Sequence, residues 1–162
     1  MKNLFVFLIV LVSCNNQPKK EAQQHATVPD STNRKVQIPE ANCYLYVSGK
    51  DTVALKLEPF PNVVTGVLRY DYFGVDGSTG TFDGKLQGDT LVGYYDFMAE
   101  GTRSIRQVVF VVKDDIAREG FGDMEEKDGK MVFKDISKAD FSKSVPLRKI
   151  SCQDYDPALE LR

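Results

Sequence analysis

From Cys43 onward, apolar and polar residues alternate with a period of two, and turn-forming residues break the alternation every eight to twelve positions. Only strands send successive side chains to opposite faces, so the pattern predicts an all-β domain. Residues 43–48 form the first predicted strand, turned by Gly49-Lys50-Asp51. Residues 52–58 follow, with Val53, Leu55 and Leu57 alternating against Thr52, Ala54 and Lys56, until Pro59-Phe60-Pro61-Asn62 stops them. Residues 63–73 place Val64, Gly66, Leu68, Tyr70 and Tyr72 on one face and Thr65, Val67, Arg69 and Asp71 on the other. Gly74-Val75-Asp76-Gly77 is the next turn.

Two-residue loops fix hairpin register, and three can be placed here. With Gly88-Asp89 as the first, Leu86 faces Leu91, Gly84 faces Gly93 and Phe82 faces Tyr95. With Glu100-Gly101 as the second, the same inner face runs from Phe97, Tyr95, Gly93 and Leu91 to Ser104, Arg106, Val108 and Phe110. With Asp114-Asp115 as the third, it continues to Glu119, Phe121 and Asp123. A slip of one residue would exchange the faces. Glu126-Lys127-Asp128-Gly129 turns the chain again, residues 130–136 are a strand, residues 137–144 a helical turn capped by Ser137, and residues 147–152 a last strand.

About nine sequential antiparallel strands with interior glycines predict a meander of eight or nine strands that curls into a small closed barrel. An open two-sheet sandwich is the alternative. Closure brings the first and last strands together, and these carry Cys43 and Cys152, so a disulfide between them is expected.

The start of the chain carries an address. Met1-Lys2-Asn3 is a short positive start, Leu4 to Val12 is an unbroken apolar run too short for a permanent span, and Leu11-Val12-Ser13-Cys14 ends it. This order resembles the bacterial lipoprotein signal. The resemblance implies that the Cys14 thiol receives a lipid, that residues 1–13 are removed, and that the protein is held at the cell envelope, on the outer membrane. Residues 14–40 then read as the lipidated cysteine and a polar tether, residues 41–152 as the barrel, and residues 153–162 as a polar tail. The strand pattern is similar to that of small lipocalin-like barrels, although the Gly-x-Trp motif is absent and the chain has no tryptophan.

Charge and residue types narrow the chemistry. The net charge of −2 becomes −3 once Lys2 is cut away, and no basic stripe exists, which argues against nucleic acid as a partner. The one histidine, His25, lies in the tether, so histidine-based catalysis has no base in the barrel. Two widely separated thiols do not make a zinc site, and Met124, Glu125 and Lys127 break the order of a calcium loop. No cofactor, no metal and no enzymatic activity are expected.

One polar constellation falls on the inner face. The register sets Arg106 beside Tyr95 on one neighbour and Asp123 on the other, with Glu119 on the same face and Tyr70 as a further candidate. An inward arginine among carboxylates is either the polar floor of a ligand cavity or an internal salt bridge that fixes register. Two functions follow: a lipid-anchored barrel that binds a small apolar or amphipathic ligand, or an interaction or inhibitor module acting on an envelope protein through loops such as residues 58–62 or 74–77. A filled interior separates them, since a core packed with Phe82, Tyr95, Phe97, Phe110 and Phe121 leaves no ligand space.

Overall fold

A computed structural model describes residues 40–155. Its strands are β1 (Asn42–Ser48), β2 (Asp51–Pro59), β3 (Val64–Asp71), β4 (Ser78–Gln87), β5 (Thr90–Ala99), β6 (Thr102–Lys113), β7 (Ile116–Gly120), β8 (Met124–Lys127), β9 (Lys130–Phe133) and β10 (Leu147–Ile150). Strands β1 to β7 pair in sequence, β10 joins β7 to β1, and the eight close into an antiparallel barrel. Hairpin β8–β9 branches from β6, where Arg106 pairs with Met131 in parallel. Residues 1–39, with the expected lipoprotein signal at Cys14 and most of the expected tether with His25, and residues 156–162 lie outside the described residues.

The hairpin register comes from turn chemistry. Glu100, Asp114 and Asp115 all take positive φ, as does Gly101, which matches two-residue turns with both central residues left-handed. Leu86 pairs with Leu91, Tyr95 with Arg106 and Phe110 with Glu119, the register that the sequence implies. Inward positions then build one core of Leu55, Leu68, Phe82, Leu91, Tyr95, Val108, Phe110 and Leu147, each essentially without exposure. An eight-stranded barrel is just wide enough for such side chains to fill it. Gly84 faces Gly93, and a Cβ at either would lie 2.7 or 2.6 Å from the Phe82 ring, so glycine there lets the ring cross the lumen.

Antiparallel order sorts the turns to two ends. The upper end holds the turns at residues 49–50, 72–77 and 100–101, together with the excursion from β7 to β10. The lower end holds residues 60–63, 88–89 and 114–115, and there the barrel sequence begins at Asn42 and finishes at Ile150.

Cys43 and Cys152 form a disulfide at the lower end, with their Cα atoms 5.2 Å apart. A second small core packs outside the wall, where the Tyr155 ring covers Cys43 and Ala54. The sequence assigns Tyr155 to the polar tail. Small residues on the outer face leave the ring a seat that alternation alone does not reveal.

Several expectations need correction. Strand β7 stops at Gly120, because a backbone bridge from Phe121 to Asp140 turns the chain away. Phe121 and Asp123 are therefore exposed and outside the lumen. Leu86 is also exposed, since β3 begins at Val64, opposite Gly84, and the tip of hairpin β4–β5 overhangs it. The helical turn is a single 3-10 turn, Ile136–Lys138, capped by Asp135 in place of Ser137. Residues 124–127 form a strand where the sequence places the start of a turn.

Candidate functional site

The inward polar residues meet just inside the upper end. Tyr70 comes from β3, Tyr95 and Phe97 from β5, Arg106 from β6 and Glu119 from β7. The Tyr70 hydroxyl donates to Glu119 Oε2 at 2.7 Å, and Arg106 Nη2 lies 3.4 Å from Glu119 Oε1. The Glu119 backbone N–H donates to Ser144 Oγ at 2.8 Å, which binds the end of the excursion to β7. The Tyr95 hydroxyl donates to Ser78 Oγ at 3.2 Å.

The guanidinium carbon of Arg106 lies 5.0 Å from the Tyr70 ring centre, 5.6 Å from Tyr95 and 5.8 Å from Phe97. These distances fall within the reach of cation–π attraction. Tyr95 and Phe97 stack at 4.6 Å, and Tyr70 meets Tyr95 edge-on at 5.8 Å. Arg106 Nε is buried without a hydrogen-bond acceptor among the described residues, so ring faces and Glu119 balance its charge. An aromatic cage of this kind would suit a cationic ligand, but the chain's own guanidinium fills it.

Burial sets the electrostatics. Glu119 is held above the usual carboxylate range by desolvation, which Arg106 and the Tyr70 hydroxyl only partly offset. Tyr70 is pushed well above its usual value by burial and then by the Glu119 charge. Tyr95 is pushed up to about 12, again chiefly by burial. Burial lowers Arg106, but Tyr70 and Glu119 outweigh it and its net shift is upward. Burial is the largest cause of the shifts of Tyr70, Tyr95 and Glu119, and the Tyr70–Glu119 hydrogen bond and the rings around Arg106 hold the cluster together.

Of the residues singled out in the sequence, Arg106, Glu119, Tyr95 and Tyr70 come together. Asp123 does not: it faces an open depression of about 610 Å³ outside the barrel, lined with Lys134, Lys138 and Lys143. Arg69 faces outward as the alternation requires, yet its side chain is largely covered and pairs with Asp71 at 2.7 Å. Sequence reasoning treats Phe97 as filler, although its position two residues from Tyr95 on the inner face is a usable signal. Ser144 gives no signal, because its role depends on the fold of the whole excursion.

Around this closed mouth the upper end exposes several apolar side chains among its charged ones. Phe73 is 69% and Val75 62% exposed, with Val47, Tyr72 and Met98 also partly or largely in solvent. The Lys50 ammonium sits 4.1 Å from the centre of the Phe73 ring, and the Phe73 backbone N–H donates to Asp51. Comparison with known protein families, with curated proteins and with solved structures finds no match.

Proposed function

We propose that this chain is a lipid-anchored, non-catalytic protein of the cell envelope, held through Cys14, that acts by binding another envelope protein with the apolar rim of its upper end. The observation that carries this reading is the exposure of Phe73 and Val75 around a mouth already closed by the chain's own side chains. Exposed aromatic and aliphatic side chains grouped at one end are a costly surface to leave in water, and they are what a protein interface uses. The rim also lies at the end opposite the one where the barrel sequence begins, so a membrane tether leaves it free.

A photo-crosslinking residue at position 73 in the native envelope tests this. A discrete protein adduct that Val75→Asp abolishes supports the reading, and a reactive position that gives no adduct contradicts it. Lipidation is tested separately: Cys14→Ala is expected to leave the chain unprocessed or soluble, and mature-length protein still in the membrane fraction would contradict the anchor.

A second reading keeps the small amphipathic ligand but moves it to the mouth. Its support is that the Arg106 side chain remains 33% exposed there.

A further inference from the structure

The lower end has an apolar patch of its own. Phe60, Val63 and the overhanging Leu86 are each about half in solvent, and they line one open depression of about 380 Å³ with Pro59, Pro61 and Lys85. The loop presenting them is stiff. Prolines flank Phe60 and fix their own φ, and the Phe60 N–H donates to the Val63 carbonyl at 2.8 Å. Three apolar side chains held out on a rigid loop and hairpin tip lose little conformational freedom on being buried.

Their position selects what could cover them. Asn42 opens β1 at this same end, so the stretch that runs back to Cys14 joins the barrel here. A membrane that holds Cys14 is therefore tethered to the barrel at its lower end. We infer that the lower end rests on the lipid surface, with Phe60, Val63 and Leu86 entering the interfacial layer. The inference rests on the anchored reading above. Asp89, Asp114 and Asp115 in the other turns of this end offset Lys85, Lys113 and Lys149, the last of which pairs with Asp115, so no cationic patch is left to draw anionic headgroups and charge is not the driving force. Burial of apolar surface is, and neutral lipid suffices. The contact would orient the barrel and direct Phe73 and Val75 away from the bilayer.

The absence of tryptophan makes the test direct. Full-length protein carrying Phe60→Trp, or Phe73→Trp at the upper end, is purified from its own membrane and reconstituted with vesicles of phosphatidylcholine or brominated phosphatidylcholine. Co-sedimentation establishes attachment, and bromine quenching reports depth. The inference predicts that the Phe60→Trp protein has blue-shifted emission and loses most of it to brominated lipid, whereas the Phe73→Trp protein keeps its emission. Adding Leu86→Ser to Phe60→Trp should weaken the quenching. Attached Phe60→Trp protein that is not quenched overturns the inference and leaves the patch to a protein partner. Equal quenching of the two single variants overturns the orientation. Protein that does not sediment with vesicles contradicts the anchored reading itself, which is a distinguishable failure.

Discussion

The Tyr70 hydroxyl and the Glu119 carboxylate meet at 2.7 Å across the barrel, joining β3 to β7 on opposite walls of the eight-stranded ring. A hydrogen bond that spans the lumen closes it at that level. Arg106, stacked among three rings beside the same carboxylate, completes the closure.

Removing Arg106 strands Glu119, whose side chain is only 8% exposed. Arg106→Ala is expected to cost about 2–3 kcal/mol, below the usual range for a broken buried pair because part of the arginine already meets water. Arg103 is the suitable control, since it pairs with Asp96 on the surface with 70% of its side chain exposed. Arg103→Ala should leave the midpoint essentially where it is in the native protein. Denaturant midpoints for both variants decide the matter, and equal small shifts would mean that the Arg106 cluster carries no stability.

The elevated pKa of Glu119 has a defined pH signature. A folded-state value above the unfolded one means that the native protein holds the proton more tightly. The resulting stability is fully present below the unfolded pKa and is lost as pH rises through the folded pKa. Exposed Asp135 and Asp140 are shifted downward by hydrogen bonds from Ser137 and Ser142, so their contribution is instead present above the unfolded pKa and lost on acidification. Comparison with Glu119→Gln isolates the buried group. The advantage of the native protein over the variant should shrink from pH 4 to pH 7, and an advantage that grows would show that pairing with Arg106 outweighs desolvation.

Gly93 and Gly88 should fail for different reasons. A methyl group at Gly93 would sit 2.6 Å from the Phe82 ring and 2.7 Å from Gly84 Cα, so Gly93→Ala should cost about 2–3 kcal/mol through overpacking. Gly88 has open space around it but a φ of +60°, so Gly88→Ala should cost only about 1 kcal/mol of backbone strain. Thermal midpoints of the two variants would test the order, and Gly93→Ala no worse than Gly88→Ala would contradict the close approach of Gly93 to the Asp83 carbonyl and the Phe82 ring.

The disulfide closes a loop with a sequence separation of 109 residues. The Cys43→Ser, Cys152→Ser double variant is expected to lose about 3–4 kcal/mol, near the chain-entropy value for so long a loop. Equal thiol counts in native and reduced mature protein would contradict the bond, and an unchanged midpoint would contradict its contribution.

The strand faces were legible because the alternation is strict and two-residue turns leave no freedom of register. Tyr95 opposite Arg106 and Phe110 opposite Glu119 follow from counting. Counting failed at Asp123 because it assumes that a strand continues until a turn residue ends it. Strand β7 is ended by a distant partner, the bridge from Phe121 to Asp140, which leaves no local trace. The overhang that exposes Leu86 likewise depends on where β3 begins, a property of its neighbour. The candidate site was legible for the residues on β3, β5 and β6 and for Glu119, and opaque for Ser144, which arrives from the irregular excursion.

The central claim is that the barrel is closed by its own side chains and acts through its surface. Native mass spectrometry of the protein purified from its own membrane tests it most directly. The account predicts the mature chain with lipid on Cys14 and an intact disulfide, alone or with a protein bound, and with no small molecule retained. A small molecule held at one per chain and lost in Arg106→Ala would contradict it.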